Sequence, residues 1–286
     1  MCAIYTGDCA DALSQMPVAS VQLVVTSPPY ADARKRLYAG PRPEEYVAWF
    51  LPRAAEIQRV LAPRGTFILN VKERVVNGVR HRYVRDLLDA LEDQGWLLTE
   101  EWIWHKKNSF PGKWPTRFRD AWEHVYQLNV QRQFDMHQDE VRVPVGDWAK
   151  PRLKHLSATD HTRDPSATGS PFAKKVANWV GRDLVYPTNV LHFATACSDK
   201  GHSAAFPVEL PEFFVKLFTR PGELVLDPFC GSGTAGAAAL RLGRAFVGID
   251  LDRAAAQVAE RVLQLQRERQ TAGGKEGPPD NTVGRK

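Results

Sequence analysis

A glycine-rich turn between an apolar run and an alanine-rich run constrains the fold of this chain more than any other feature. Residues 223–227 are typical of a buried strand, the turn carries Gly231 and Gly233, and residues 235–242 are small and helix-forming. Glycine allows a ligand to approach the backbone closely, and the N-terminus of the following helix favours polar ligand groups. The segment therefore predicts a strand, a ligand-binding turn and a helix in succession.

Short apolar runs alternate with amphipathic runs over most of the chain. The runs typical of strands are residues 3–5, 21–25, 65–71, 97–104, 125–130 and 245–249, and helical patterns occupy 43–61, 84–91, 211–218 and 254–265. We expect Pro52 to kink the first of these helices. Alternation of this kind predicts an α/β fold with a mostly parallel sheet, helices on both faces, and ligands at the carboxyl ends of the strands.

The alternation stops between about Gln131 and Pro187. This stretch is polar, contains Pro, Gly, Ser and Thr, and is too long for a simple loop, so we expect an inserted domain at 131–187. Residues 1–130 and 188–268 would then form the main domain. The glycines and prolines of 269–286 predict a disordered C-terminal tail.

The composition excludes several classes of protein. With 43% hydrophobic residues among 286, the chain can bury a large core, and no apolar run approaches the roughly 20 residues of a membrane helix. Its 38 basic and 33 acidic residues give a net charge of +5, which favours a polyanionic partner. The four cysteines lack zinc-ligand spacing, so we expect no metal site and a reduced, cytoplasmic location. Residues 1–11 have no basic region and reach Asp8 before any long apolar run, so we expect no signal peptide.

A second turn, Thr26 to Tyr30, follows the strand at 21–25. Two consecutive prolines fix its backbone and remove two amide donors, so the turn presents carbonyl oxygens and the Ser27 hydroxyl. It can accept two hydrogen bonds from a planar amino group while the Tyr30 ring stacks on that group's ring. A rigid turn with a packed tyrosine is the alternative.

The glycine-rich turn does not match the common phosphate-binding motifs. It lacks the lysine of a Walker A loop, and Gly236 has the wrong spacing for the third glycine of a dinucleotide fingerprint. Asp250 ends the next strand, where a carboxylate can accept hydrogen bonds from both ribose hydroxyls.

Together the two turns resemble the amino methyltransferases of DNA that use S-adenosylmethionine, and the resemblance covers most of the chain. In that family an Asp-Pro-Phe-x-Gly-Ser-Gly-Thr element binds the cofactor and a Ser- or Asp-Pro-Pro-Tyr element holds the target amino group. The target turn comes first here, which resembles the beta, circularly permuted, order. The resemblance implies a permuted Rossmann-like methyltransferase fold with a mostly parallel seven-stranded sheet, and it makes 131–187 the target-recognition domain.

The resemblance also implies the roles of individual residues. The catalytic turn would be Ser27, Pro28, Pro29 and Tyr30. Asp8 would hold the cofactor adenine, and Asp250 the ribose, where the family usually has Glu. The remaining cofactor contacts would be Thr26, His202, Ser203, Phe206, Asp227, Pro228, Phe229, Gly231, Ser232, Gly233 and Thr234.

Ser27 at the head of the turn resembles the cytosine-N4 branch of the family more than the adenine-N6 branch, which remains an alternative. An RNA or protein amide methyltransferase and a non-catalytic DNA-binding protein are further alternatives. The resemblance implies double-stranded DNA as the partner, with the target base flipped out of the helix. It also implies a restriction-modification setting with a cognate endonuclease, with a solitary regulatory methyltransferase as the alternative, and a monomer or homodimer.

Clusters of basic residues are the expected contacts to DNA phosphates, with solvated charge runs as the alternative. We expect Trp104 and Trp114 either to border the flipped base or to pack in the core or at its rim. The predicted DNA contacts are Arg34, Lys35, Arg36, Lys106, Lys107, Arg152, Lys154, Lys174 and Lys175.

Overall fold

The computed structural model describes residues 1–31, 40–109, 112–146, 151, 154–156, 180–195 and 206–273. The chain divides into two compact units. The first comprises Met1–His137 with Asn189–Lys286, and the second is Gln138–Thr188. The predicted DNA contacts Arg34, Lys35, Arg36, Arg152, Lys174 and Lys175 and the predicted cofactor contacts His202 and Ser203 lie outside the described residues.

Strands and helices alternate along the first unit, and two short strands belong to the second. The strands are β1 (Cys2–Thr6), β2 (Val21–Thr26), β3 (Leu61–Asn70), β4 (Val75–Val76), β5 (Val79–Arg80), β6 (Leu97–Lys106), β7 (Lys113–Trp114), β8 (Arg117–Phe118), β9 (Trp122–Asn129), β10 (Val143–Pro144), β11 (Leu184–Val185), β12 (Val190–Phe193), β13 (Leu224–Asp227) and β14 (Ala245–Asp250). The α-helices are α1 (Cys9–Ser14), α2 (Tyr46–Val60), α3 (Tyr83–Asp93), α4 (Glu209–Phe218), α5 (Thr234–Arg241) and α6 (Arg253–Gly273), with 3-10 turns at Pro43–Glu45 and Gln138–Val141.

Eight strands form one sheet in the order β1-β14-β13-β2-β3-β9-β6-β12. All neighbours are parallel except β9, which runs antiparallel to both β3 and β6. This architecture confirms the predicted fold class. The sheet has eight strands where seven were expected, because Val190–Phe193 pairs in parallel with β6 and extends that edge.

The central strands are buried on both faces, as expected where helices cover a parallel sheet on each side. In β2 the side chains of Leu23, Val24 and Val25 are all buried, and Phe67 to Leu69 of β3 are buried as well. Helices α1 to α3 pack together as one group and α4 to α6 as another. The strand ends therefore follow segments that are packed in the core.

One helix agrees with the prediction and one extends beyond it. Helix α2 continues through Pro52 to Val60, as the helical pattern predicted, and Phe50, Ala54 and Ile57 are buried on either side of the proline; the kink expected at Pro52 stays a prediction. Helix α6 runs to Gly273, past the predicted end of the domain at 268, so residues 269–273 are helical. The rest of the predicted tail lies outside the described residues.

The second unit starts at Gln138, seven residues after the start predicted for the inserted domain. The preceding residues are bonded to the first unit: Asp135 accepts from Arg64 at 2.7 Å, and the His137 amide donates to the Leu217 carbonyl at 2.6 Å. Within the second unit, β10 pairs antiparallel with β11. Among the helices that the structure describes, none is long and apolar enough to cross a membrane.

Candidate active site

The polar residues of the two turns meet at one edge of the sheet. Strands β14, β13, β2 and β3 are parallel neighbours, and they end at Asp250, Asp227, Thr26 and Asn70 respectively. Strand β9 is antiparallel, so its first residues lie at the same edge. The chain therefore brings the residues of both turns together from distant positions.

A direct hydrogen bond joins the two turns. The Thr26 hydroxyl donates to Oδ1 of Asp227 at 2.5 Å, and both side chains are buried. The same oxygen accepts from the Phe229 amide at 3.1 Å. Strands β2 and β13, which carry the two turns, pair through Leu23 with Val225 and Val24 with Leu226. The glycine-rich turn and the Pro-Pro turn are thus fixed relative to each other.

Asp227 ionises in an apolar setting. Burial raises the pKa of its carboxyl to about 7, and the charge of Asp250 acts in the same direction, while the hydrogen bonds from Thr26 and Phe229 oppose the shift. Because Asp227 is only 2% exposed, its carboxyl organises the turn and presents little surface to a ligand.

The two glycines of the turn, Gly231 and Gly233, have different structural roles. Gly231 and Gly233 both have left-handed backbones, with φ of +51° and +82°. A Cβ on Gly233 would lie 3.0 Å from Ala259 of α6, so this glycine allows the turn to pack on that helix. A Cβ on Gly231 would meet nothing within 4 Å, so the backbone of Gly231 borders open space that a ligand can occupy.

Asp250 lies directly beside Gly231. Its Oδ2 accepts from the Gly231 amide and its Oδ1 from the Asp252 amide, both at 2.8 Å. Burial raises the pKa of the Asp250 carboxyl. Each carboxylate oxygen has a second acceptor position. Asp250 can therefore accept two further hydrogen bonds from ligand hydroxyls.

Asp8 has structural partners on both of its oxygens. Oδ1 caps α1 by accepting from the Ala10 amide at 2.8 Å, and Oδ2 pairs with Arg53. The Arg53 guanidinium lies 4.6 Å from the ring centre of Trp49, which is 5.6 Å from the ring of Phe229. Arg53 and Trp49 were not identified from the sequence, because within a helical pattern neither carries a signal that separates it from ordinary packing. The predicted contact of Asp8 with adenine stays a prediction.

The Pro-Pro turn is tied by its tyrosine to the next strands. The Ser27 hydroxyl donates to the Tyr30 oxygen at 3.2 Å, and the Tyr30 hydroxyl donates to Oε2 of Glu123 at 2.9 Å. Burial, and then the charge of Glu123, keep the pKa of the Tyr30 phenol well above its ordinary range. Tyr30 is therefore a hydrogen-bond donor at neutral pH, and its ring is anchored by its hydroxyl.

Glu123 connects Tyr30 to a lysine. Glu123 is 7% exposed, and its Oε1 lies 2.5 Å from Nζ of Lys106. The Lys106 ammonium also lies 4.9 Å from the ring centre of Trp104. The Glu123 carboxylate thus engages the Lys106 ammonium, and the phosphate contact expected of Lys106 stays a prediction. Sequence reasoning missed Glu123, although a glutamate at the start of a buried strand was an available signal.

The other predicted residues take several positions. Phe206 and Pro228 are buried, Ser232 and Thr234 are half-buried around the start of α5, and Lys107 and Lys154 are exposed. Trp104 is buried and donates from its indole to the Phe193 carbonyl at 3.1 Å, so it belongs to the core. Trp114 is 53% exposed.

Comparisons with known proteins agree with this arrangement. A family model described as DNA methylase matches residues 21–261. The Type II methyltransferase M.PvuII of Proteus hauseri is 29% identical over 87% of this chain and 79% of its own length. M.Cfr9I of Citrobacter freundii is 25% identical over 91% of this chain and 87% of its own.

A solved structure of the PvuII DNA methyltransferase, described as cytosine-N4-specific, shares the fold. It superimposes with a TM-score of 0.68, covering 93% of this chain and 92% of its own, at 24% identity. The fold and the joined turns thus define a methyltransferase of the permuted Rossmann-like type. Because the family model spans residues 21–261, the chain belongs to the DNA methylase family.

Proposed function

We propose that this protein transfers a methyl group from S-adenosylmethionine to the exocyclic N4 of cytosine at specific sites in double-stranded DNA. The observation that carries the proposal is the Thr26–Asp227 hydrogen bond, which fixes the glycine-rich turn beside the Pro-Pro turn. Methyl transfer between two bound reactants needs that proximity. The cytosine-N4 specificity ascribed to the PvuII enzyme supports the choice of base.

The residues at the glycine-rich turn fit the cofactor. Open space over Gly231 admits a ligand against the backbone, and the free acceptor positions of Asp250 suit the two ribose hydroxyls. Phe229 and Trp49 provide an aromatic surface nearby. When bound, S-adenosylmethionine supplies an electrophilic methyl group on its sulfonium sulfur. A structure of TTHA0409 from Thermus thermophilus, 24% identical with a TM-score of 0.60, is described as complexed with it.

The Pro-Pro turn would hold the target amino group. The Ser27 oxygen and the Pro28 carbonyl would accept its two hydrogen atoms, which orients the nitrogen lone pair toward the methyl donor. Flipping the base out of the duplex costs a few kcal/mol, and stacking on an aromatic ring such as that of Tyr30 offsets about 1–3 kcal/mol of it. Most of the acceleration then comes from positioning, without a covalent enzyme intermediate.

The hairpin of β7 and β8 is the part of the described surface that we assign to DNA beside the target base. Trp114 and Phe118 are 53% and 83% exposed, and the Arg117 guanidinium lies 5.3 Å from the Trp114 ring centre. Arg117 also lies 3.5 Å from Asp120, which is 3.3 Å from Lys72. Lys72 is in turn 4.0 Å from Glu123 at the active site. Aromatic rings interleaved with basic groups suit nucleic acid.

We also propose a setting for the enzyme. Residues 131–187, which overlap the compact unit Gln138–Thr188, would recognise the target sequence, and Lys107 and Lys154 would contact DNA phosphates. The relatives M.PvuII and M.Cfr9I are named Type II methyltransferases, which supports a role in restriction-modification beside a cognate endonuclease. The protein would act in the cytoplasm as a monomer or homodimer.

Analysis of the methylated base tests the proposal. The purified protein is incubated with unmodified DNA and labelled S-adenosylmethionine, and the DNA is digested to nucleosides for mass spectrometry. We expect label in N4-methylcytosine. Label in N6-methyladenine would overturn the choice of base while leaving the fold and the site in place. No label in DNA, with label in RNA or protein, would overturn the substrate.

A further inference from the structure

A buried carboxylate lies behind the Pro-Pro turn, and none of the steps proposed above uses it. Glu123 stands at the start of β9, 7% exposed, with Oε2 2.9 Å from the Tyr30 hydroxyl. A glutamate is rarely buried without a partner or a task, because removing its charge from water costs several kcal/mol. Lys106, at 2.5 Å, compensates the charge but leaves open why the carboxylate faces the catalytic turn.

The hydrogen bonds between Glu123 and Ser27 have a fixed direction. An ionised carboxylate only accepts, so the single proton of Tyr30 points to Glu123, which lies closer than Oδ1 of Asn70 at 3.3 Å. The Tyr30 oxygen is then an acceptor, and the Ser27 hydroxyl donates to it at 3.2 Å. With its own proton engaged, Ser27 offers only lone pairs to a ligand.

Asn70 supports this direction from the neighbouring strand. Its amide nitrogen donates to the His124 carbonyl at 2.9 Å and lies 3.4 Å from Oε2 of Glu123. Because Asn70 presents an N–H donor to Oε2, Glu123 is the acceptor in its contacts with both Asn70 and Tyr30. The orientation of the whole chain of hydrogen bonds thus depends on the charge of one carboxylate.

We propose that Glu123 acts through Tyr30 and Ser27, as a positioning residue that turns Ser27 into an acceptor and as the final acceptor of the proton released by methylation. This inference rests on the proposed function. A neutral amino group that gains a methyl group carries one surplus proton, and the turn itself offers no basic group to take it.

The proton transfer balances over three acceptors. The N–H bond of the methylated amine breaks as an O–H bond forms on Ser27, whose own proton passes to the oxygen of Tyr30. The Tyr30 proton passes to Oε2 of Glu123. The amine ends neutral, Ser27 and Tyr30 end as hydroxyls, and Glu123 ends as a carboxylic acid that returns its proton to water after the product leaves.

Two lysines and two polar groups surround Glu123. Lys106 of β6 and Lys72, which follows β3, face it at 2.5 and 4.0 Å and lie on the side away from the turn. Tyr30 and Asn70 face it from the side of the turn. Lys72 is shared with Asp120 at 3.3 Å, so the cluster keeps a second acid close to the lysines when Glu123 is neutral.

Two substitutions test the proposal. Glu123→Gln removes the charge at nearly constant shape, and Tyr30→Phe removes only the linking hydroxyl and leaves the pair of Glu123 and Lys106 in place. We expect each to lower kcat by about 100-fold, the scale of acid–base assistance. The Kd of S-adenosylmethionine and the KM for DNA should each stay within about threefold of the wild-type value, because neither substitution removes a group that we assign to binding. The double variant should be no slower than the slower single variant, since both break one chain of hydrogen bonds.

Formate provides a readout that a purely structural role would not move. It should restore part of the kcat of Glu123→Ala, because it supplies a carboxylate to the vacated site, and it should not restore Tyr30→Phe. Glu101→Gln is the matched control: Glu101 pairs with His124, which points to the other face of the sheet, so kcat should stay unchanged.

Three results would overturn the proposal. They are a kcat of Glu123→Gln within threefold of the wild-type value, effects that multiply in the double variant, and losses confined to thermal stability and KM. The proposed function is judged separately, on whether the wild-type enzyme makes N4-methylcytosine.

Discussion

At the scale of single residues, the site depends on groups whose role is set by burial. Asp227 is the clearest case, because its carboxyl is buried against Thr26 at the junction of two strands and its pKa is raised to about 7. The protein therefore binds a proton at Asp227 more tightly when folded than when unfolded. Charging this residue costs stability.

This predicts how stability depends on pH. Between the unfolded pKa of Asp, about 4, and the folded pKa of about 7, the folded state holds more protons, so the free energy of unfolding falls as pH rises. Asp227→Asn should remove this contribution. The free energy of unfolding of the variant, relative to that of the wild type, should therefore increase as pH rises, with a limiting slope of about 1.4 kcal/mol per pH unit. Urea unfolding at pH 5, 6.5 and 8 measures it. A constant difference between the two proteins across this range would contradict the assignment.

Residue types at the ends of strands could be predicted from sequence, and the partners of those residues could not. Ser27, Tyr30, Asp227 and Asp250 stand where the sequence placed them, because local apolar runs mark the strands they follow. Glu123 meets Tyr30 across 93 positions. No local pattern encodes a contact of that separation, so the pairing of Glu123 with Tyr30 and Lys106 could not be predicted.

At the scale of elements, the hairpin of β7 and β8 carries two exposed aromatic rings. A two-stranded ribbon gains little stability alone. Exposed Trp114 and Phe118 add little by burial, and we proposed above that they contact DNA.

We predict that removing these rings weakens DNA binding and spares the cofactor. Trp114→Ala and Phe118→Ala should each raise the KM for DNA by about tenfold, within the 1–3 kcal/mol of a base–aromatic stack, while the Kd of S-adenosylmethionine stays constant. Val18→Ala is the control, since Val18 is exposed before the start of β2, at the opposite edge of the sheet. If both hairpin variants bind DNA like the Val18 variant, the hairpin is not a DNA contact.

The regular elements were largely predictable because their apolar periods are long. The strands around β2, β3, β13 and β14 and the helix α3 follow the pattern directly. Short elements were not: α1 has six residues, and β12 has four and joins the sheet only through its pairing with β6. Tertiary pairing, rather than local preference, makes these segments regular.

At the scale of the whole molecule, two compact units share one chain. The residues of the proposed site come from both sides of the unit Gln138–Thr188 in the sequence, with Ser27 and Glu123 before it and Asp227 and Asp250 after it. The loss of alternation predicted an inserted domain at 131–187, and the compact unit Gln138–Thr188 overlaps that range. Asp135, within the predicted range, bonds to Arg64 of the first unit.

Replacing residues 138–188 with a short flexible linker tests the proposed recognition role. We expect the shortened protein to bind S-adenosylmethionine normally and to lose its preference for particular sites. Sequencing of methylated positions in genomic DNA provides the measurement. Methylation of the same sites by the shortened protein would refute the role, and loss of cofactor binding would show that the unit supports the fold.

The two joined turns have separate roles in this account: Asp227 organises the cofactor turn, and Ser27 receives the target amino group. The most direct test is the Kd of S-adenosylmethionine, by calorimetric titration, for the wild type, Ser27→Ala and Asp227→Ala. Ser27→Ala should keep the wild-type Kd while its turnover falls by about 100-fold, and Asp227→Ala should weaken binding by at least about tenfold, or 1.4 kcal/mol. Equal changes of Kd in both variants would contradict the account.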